Sequence, residues 1–71
     1  MKMIKYRVEE VGEDKRGEIM WVHTVAYFSK IERAREYTSK HRTRTSTDGT
    51  TVYYTIWKVT TTTTTDEEPV E

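Results

Sequence analysis

The chain has 71 residues, no cysteine and a formal net charge of zero, and apolar and charged residues each make up 34% of it. A chain of this length hides only about 60% of its unfolded surface on folding, so its core must be thin. This composition excludes a disulfide framework, a Cys-based zinc site and the high net charge of a disordered chain.

Two strands joined by a polar turn are predicted for the first part of the chain. Apolar side chains alternate from Met3 to Val11, which is typical of a half-buried strand. Residues 12–17 have no apolar side chain and a glycine at each end, as in a hairpin loop. Residues 18–28 are apolar on both faces, so the second strand is predicted to need cover on both sides.

A helix is predicted to follow. Ser29 and Glu32 have the spacing of a capping box, in which each residue's side chain satisfies the other's backbone amide. The side chains that define its narrow apolar stripe recur at three- to four-residue spacing over about three turns: Ile31, Ala34, Tyr37 and His41.

The Asp48-Gly49 pair precedes a strongly strand-like segment, residues 50–59, which again has two apolar faces. Asp-Gly is a common hairpin turn, which would make residues 42–46 a short polar edge strand. A plain loop is the equal alternative.

The chain ends in six threonines, residues 60–65, followed by the acidic segment 66–71. We expect a frayed, mobile tail that is dispensable for folding and competes with anionic ligands for the basic segment. A longer final strand is the competing interpretation, because threonine has high β-propensity.

The predicted fold class is therefore α+β with the order β-β-α-β. A right-handed crossover places the last strand beside the first, giving a mainly antiparallel sheet of three strands, or four with the edge strand, and one helix on one face. Residues 1–59 form the single domain in this prediction, and residues 60–71 form the tail.

No catalytic, cofactor-binding or metal-binding residue is predicted, and no cofactor is expected. The chain has two histidines, His23 and His41, without a matching carboxylate pattern. Ser39 lies two residues from His41, a spacing that does not place both on one helix face. Ordinary surface or interface roles are the simpler explanation for all three.

Although the net charge of the chain is zero, the predicted helix and the loop after it are basic, because residues 29–44 contain six basic and two acidic side chains. Basic residues interleaved with Ser and Thr suit phosphate groups. The candidate phosphate-binding residues are Lys40, Arg42 and Arg44.

A helix covers only one face of a sheet, so large side chains on the other face are predicted to form an exposed apolar patch of the kind found at interfaces. The predicted interface residues are Trp21, Val25, Tyr27, Tyr53, Trp57 and Val59. We expect a homodimer in which two sheets stack, or a protein partner on this face.

Two other functions are open. One is single-stranded nucleic acid binding, with Trp21, Tyr27, Tyr53 and Trp57 stacking on bases and Lys5 and Arg7 contacting phosphates. The less favoured one is a small ribonuclease-like toxin that uses His41, Arg42, Arg44 and Tyr54.

Three segments, Val-Ala-Tyr-Phe-Ser, Glu-Arg-Ala-Arg-Glu-Tyr and Tyr-Thr-Ile-Trp-Lys-Val, give the chain a pattern that resembles small uncharacterised bacteriophage proteins. The resemblance implies a viral accessory protein that binds itself or a host component, and it assigns no functional residues. Because no apolar stretch has membrane-spanning length, we expect no membrane association and a location in the cytoplasm of the producing or host cell.

Overall fold

A computed structural model describes residues 2–71, which form one helix and an antiparallel sheet of five strands. The elements in chain order are β1 (Met3–Glu13), β2 (Ile19–Phe28), α1 (Ile31–Lys40), β3 (Arg44–Thr45), β4 (Thr51–Thr61) and β5 (Thr65–Pro69).

The strand order β2-β1-β4-β3 confirms the prediction that the first strand lies between the second and the main last strand. β1 pairs antiparallel with both of its neighbours, β2 and β4. The α+β class is also confirmed, but the sheet has more strands than predicted, because β3 and β5 both pair with the edge of β4 that faces away from β1. β3 pairs at Thr51 and Val52, and β5 pairs at residues 57–61.

The core lies between α1 and one face of the sheet, called here the helix-side face. Val8 of β1, Ala34 of α1 and Ile56 of β4 are completely buried and contact one another. Six partly buried side chains surround them: Tyr6, Ala26, Phe28, Tyr37, Tyr54 and Val70. The predicted helix stripe is confirmed, since Ala34 is buried and its other three members are half-buried.

The predicted capping box is wrong. α1 begins at Ile31, with Lys30 in extended conformation at the N-cap position and no side-chain hydrogen bond to cap it. Glu32 is therefore the second helical residue, one position short of where a capping-box carboxylate must stand. The packing of Ala34 and Tyr37 against the sheet holds this helix, as is usual for short helices in water.

Of the two alternatives for residues 42–46, the structure contains the hairpin. The Ser46 amide donates to the Thr50 carbonyl at 2.8 Å, and the Gly49 amide donates to the Ser46 carbonyl at 3.0 Å. Gly49 has a φ of +91°, which side chains disfavour, and the Asp48 carboxylate accepts from the Thr50 amide at 2.9 Å. The resulting strand β3 is short and fully exposed.

The expected frayed end is replaced by ordered structure. The threonine run extends β4 to Thr61, and the chain then reverses and returns along β4 as β5. Backbone hydrogen bonds between Ile56 and Val70–Glu71, of 2.7 and 2.9 Å, fasten the end of the chain beyond β5. The predicted boundary after residue 59 therefore falls inside a strand, because the unpaired edge of β4 gives the threonine and acidic segments a partner.

Candidate interaction surface

The face on which each β2 side chain lies is determined by bulges. Val8 pairs with Ala26, but the next β1 residue, Glu9, pairs with Thr24, so Val25 is an extra residue in β2. An extra residue in one strand shifts its side-chain alternation by one position. The β2 side chains from Trp21 to Thr24 therefore lie on the opposite face from the one that simple alternation predicts, and a second extra residue, Met20, restores the predicted face at Ile19.

This bulge corrects the prediction for Trp21, which lies on the helix-side face and not with Tyr53 and Trp57. Trp21 pairs with Gly12, and its indole Nε1 donates to a Glu10 carboxylate oxygen at 3.2 Å. A Cβ atom on Gly12 would lie 2.4 to 2.5 Å from three atoms of the six-membered ring of Trp21. The indole thus rests on the backbone of Gly12, where only glycine leaves room for it.

The other predicted interface residues do not form a continuous exposed patch. Three of them are half-buried and not exposed: Tyr53, Trp57 and Val59. Arg7 lies between Tyr27 and Trp57, because it pairs with both of them across the sheet. The Arg7 guanidinium lies 5.9 Å from the centre of the Trp57 ring. It also forms ion pairs with Glu9 and Glu67. A charged cluster therefore occupies the middle of this outer face.

Exposed apolar surface is concentrated on β2 instead. Six large apolar side chains of the described residues are exposed, and all except Met3 belong to this strand. The β2 members are between 38% and 62% exposed: Ile19, Met20, Val22, Val25 and Tyr27. The strand contains no Lys, Arg, Asp or Glu. We call these five side chains the β2 surface.

β2 is also an end strand of the sheet. One of its edges pairs with β1, and within residues 2–71 no strand pairs with the other. An unpaired edge presents a row of backbone N–H and C=O groups, which natural proteins usually protect with lysine, proline or a covering segment. The two extra residues, Met20 and Val25, are the sole irregularities along this ten-residue edge.

The candidate phosphate-binding residues differ in how they are engaged. The Lys40 ammonium lies 3.3 Å from the Glu36 carboxylate, one helical turn away. Arg42 and Arg44 are exposed, and neither forms an ion pair with another residue of the described chain. Arg44 lies in β3 opposite Val52, on the path that leads from the end of α1 into the hairpin.

A hydrogen-bonded cluster that sequence reasoning missed is centred on Glu10. Its carboxylate accepts from the Tyr54 hydroxyl at 2.9 Å and from the Trp21 indole at 3.2 Å. These two bonds lower the pKa of Glu10, and the charges of Arg44 and His23 lower it further. Burial, and then the bond to Glu10, raise the pKa of Tyr54. Strand pairing assembles this cluster, so no local spacing in the sequence reveals it.

Two residues proposed for the ribonuclease alternative, His41 and Tyr54, lie next to each other in the structure. The His41 and Tyr54 rings meet edge to face with centres 5.6 Å apart, and Arg44 acts on the pKa of Tyr54. No group of three or more His, Asp or Glu side chains suited to a metal ion occurs within residues 2–71.

No known protein family, curated protein or solved structure matches this chain. Within residues 2–71 the structure has no helix with the length and apolar character of a membrane span. A function must therefore be argued from the surfaces of the molecule.

Proposed function

We propose that this protein is a non-enzymatic binding protein that self-associates through the unpaired edge of β2. The observation that supports this most directly is the β2 surface itself: nearly all exposed large apolar side chains of residues 2–71 lie on one strand that has no Lys, Arg, Asp or Glu and whose outer edge pairs with no other strand of these residues. Adding a strand to such an edge forms backbone hydrogen bonds and buries the side chains on both sides of it.

A second copy of the chain is the occupant that we favour. Two β2 strands that pair antiparallel about a twofold axis bring the same strand surface of both copies together, so a charge near the axis would lie close to its own copy. β2 has no Lys, Arg, Asp or Glu side chain to produce this repulsion. The core also contains only three completely buried side chains, which extra burial between protomers would supplement.

Edge pairing replaces the stacked-sheet dimer that the sequence suggested. Stacking would bury Arg7 and its acidic neighbours in the middle of the outer face, and burying charges costs free energy unless their pairing is excellent. Pairing at the β2 edge leaves these groups in water. An extended segment of a host protein could pair in the same manner, and we propose the cytoplasm of the producing or host cell as the location.

Light scattering coupled to size exclusion, over a concentration series, tests the proposal. We expect a dimer at high micromolar concentration and a monomer for Val22→Lys, which adds a positive charge to the β2 surface of both copies. Met3→Lys is the matched control, because Met3 is 52% exposed and Val22 is 47% exposed, but Met3 lies on β1. A monomeric wild type, or equal effects of the two lysines, would refute the proposal.

Hydrogen exchange distinguishes edge pairing from stacking. If β2 pairs with its copy, the β2 amides that point away from β1 become protected as protein concentration rises, while β4 amides do not change. Stacking through the outer face would protect no additional β2 amides. Circular dichroism of each variant shows that the fold is retained.

A further inference from the structure

We infer that the part of the helix-side face left uncovered by α1 binds single-stranded nucleic acid, with the Trp21 ring as a base platform and Arg44 as a phosphate contact. The site lies on a face of the sheet and not on the β2 edge, although Trp21 and His23 belong to that strand, and it does not require dimerisation. It also differs from the outer-face arrangement suggested by the sequence, because Arg7 is already engaged there and Trp21 lies on the other side.

The strand register places the site in two adjacent rows across the sheet. One row contains His23, Glu10 and Tyr54, and the next contains Trp21, Gly12, Val52 and Arg44. Directly opposed residues of paired strands project from the same face. The row of Val8 and Ile56, which is covered by α1, lies on the same face one step further along. The rows of Glu10 and Gly12 thus lie beyond the row that α1 covers: His23 and Arg44 at their ends are exposed, Trp21 is half-buried, and Gly12 and Val52 beneath are buried.

Trp21 is held in a fixed position on this surface. One side of its six-membered ring lies on Gly12, and its indole nitrogen is bonded to Glu10, while the side chain as a whole remains partly exposed. A rigid, accessible aromatic ring is what a nucleobase needs for stacking, and little ordering entropy is lost when the base binds.

His41 is also held in place, at the edge of the site. Its ring stacks on Tyr37 with centres 4.0 Å apart, and its Nδ1 lies 2.8 Å from the Tyr37 carbonyl oxygen. A carbonyl only accepts hydrogen bonds, so Nδ1 carries the hydrogen and Nε2 of the neutral ring is an acceptor. A base N–H group or a ribose hydroxyl is a suitable donor to it.

The charges of the site favour phosphate despite the carboxylate at its centre. Each oxygen of Glu10 already accepts a hydrogen bond, from Trp21 or from Tyr54. Glu10 therefore positions the platform and is not itself a ligand. Arg44 and Arg42 are exposed basic groups without an ion pair in the described chain, and Arg44 lies in the same row as Trp21. A single strand fits this surface because its bases are free to stack.

The test uses Trp57→Phe protein, in which Trp21 is the sole source of indole fluorescence. Short oligouridine and oligothymidine are titrated at low salt, and we expect quenching that weakens as salt increases, because phosphate binding releases counterions. Arg44→Gln should weaken binding and reduce the salt slope by about 1. Arg33→Gln makes the same charge change on α1 and should leave binding unchanged.

Gly12→Ala tests the platform, because its methyl group must displace the indole. We expect binding at least about fivefold weaker, the lower end of what one stacked base contributes. If this variant does not fold, Trp21→Leu with a labelled oligonucleotide and anisotropy detection replaces it, with the same expectation. Absence of quenching in the Trp57→Phe protein, equal effects of Arg44→Gln and Arg33→Gln, or equally tight binding of duplex DNA would each overturn the inference.

Discussion

The two edges of this sheet are protected in opposite ways. The edge of β4 that faces away from β1 is covered by β3 and β5, whereas the free edge of β2 is covered by no segment of residues 2–71. β5 is Thr-Asp-Glu-Glu-Pro and all its residues are exposed, so the new edge that it creates has charges and a proline. Such residues discourage further strand pairing.

This contrast indicates what each edge is for. The chain uses a polar, charged segment to close one side of the sheet permanently, and the apolar, uncharged β2 faces outward on the other side. Monomeric sheets usually protect both edges, and on β2 the two bulges are the sole such protection within residues 2–71. The experiments below alter one edge at a time.

Deleting residues 65–71 should have the largest effect, because it uncovers the second edge. It removes Val70 from the core, the backbone bonds to Ile56 and the ion pair of Arg35 with Glu71, which measures 2.5 Å. Counting about 1.5 kcal/mol for burial of Val70 and about 1 kcal/mol for each of the two bonds to Ile56, we expect a loss of at least roughly 3 to 4 kcal/mol, to which the lost pairing of β5 with β4 adds.

Urea unfolding measures this loss, and light scattering should show increased self-association of the truncated protein through β4. The control is the full chain with Glu67→Gln and Glu71→Gln, which retains β5 but lacks the two carboxylates that form ion pairs with Arg7 and Arg35. A truncated protein as stable as the wild type would support the mobile tail that the sequence suggested.

Gly49→Ala should weaken the cover that β3 gives to β4. Gly49 has a φ of +91°, and a Cβ there would lie 2.8 Å from Cβ of Lys15. The left-handed conformation costs a non-glycine residue about 1 to 2 kcal/mol. Gly17→Ala is the matched control, because Gly17 has a φ of +85° but open space around it. A larger loss of stability for Gly49→Ala, measured by thermal unfolding, would report the contact with Lys15, and equal losses would show that this contact is unimportant.

The ion pair between Arg7 and Glu67 joins β5 to the outer face of the sheet and should contribute less. The side chains are 19% and 43% exposed, so solvent screens their attraction and we expect about 0 to 1 kcal/mol. A double-mutant cycle with Arg7→Gln and Glu67→Gln isolates this term from the contact of Arg7 with Trp57. The coupling should decrease in high salt. Coupling that does not change with salt would argue against an electrostatic origin.

The smallest expected effect is on the pH dependence of stability. The pKa of Glu10 is lowered from its usual 4.5 by its bonds to Tyr54 and Trp21. The ionised carboxylate therefore stabilises the fold above about pH 4.5, and this contribution disappears as the pH falls through the lowered folded-state pKa. Glu10→Gln should flatten the acid side of the stability curve, measured by urea unfolding at several pH values. A variant with the acid sensitivity of the wild type would assign that sensitivity to other carboxylates, such as Asp48.

Periodicity alone was enough to predict β1, the helix stripe and β4, because each depends on apolar side chains repeating along one segment, and the right-handed crossover rule then predicted the strand order. It failed for β5, whose threonine and acidic residues become a strand only because β4 offers an unpaired edge. The Glu10 cluster and the face of Trp21 were missed for a related reason. Both depend on the extra residue Val25, and nothing in the local sequence marks it as a bulge.

That single extra residue has a consequence for how such a surface evolves. Val25 has no partner on β1, so loss of its codon would remove the bulge and leave the pairing of the preceding residues unchanged. Trp21 would still lie opposite Gly12, and His23 opposite Glu10. This position can therefore gain or lose one codon without exchanging side chains between the faces of the sheet, whereas the same change within a regularly paired stretch would move every side chain beyond it to the other face.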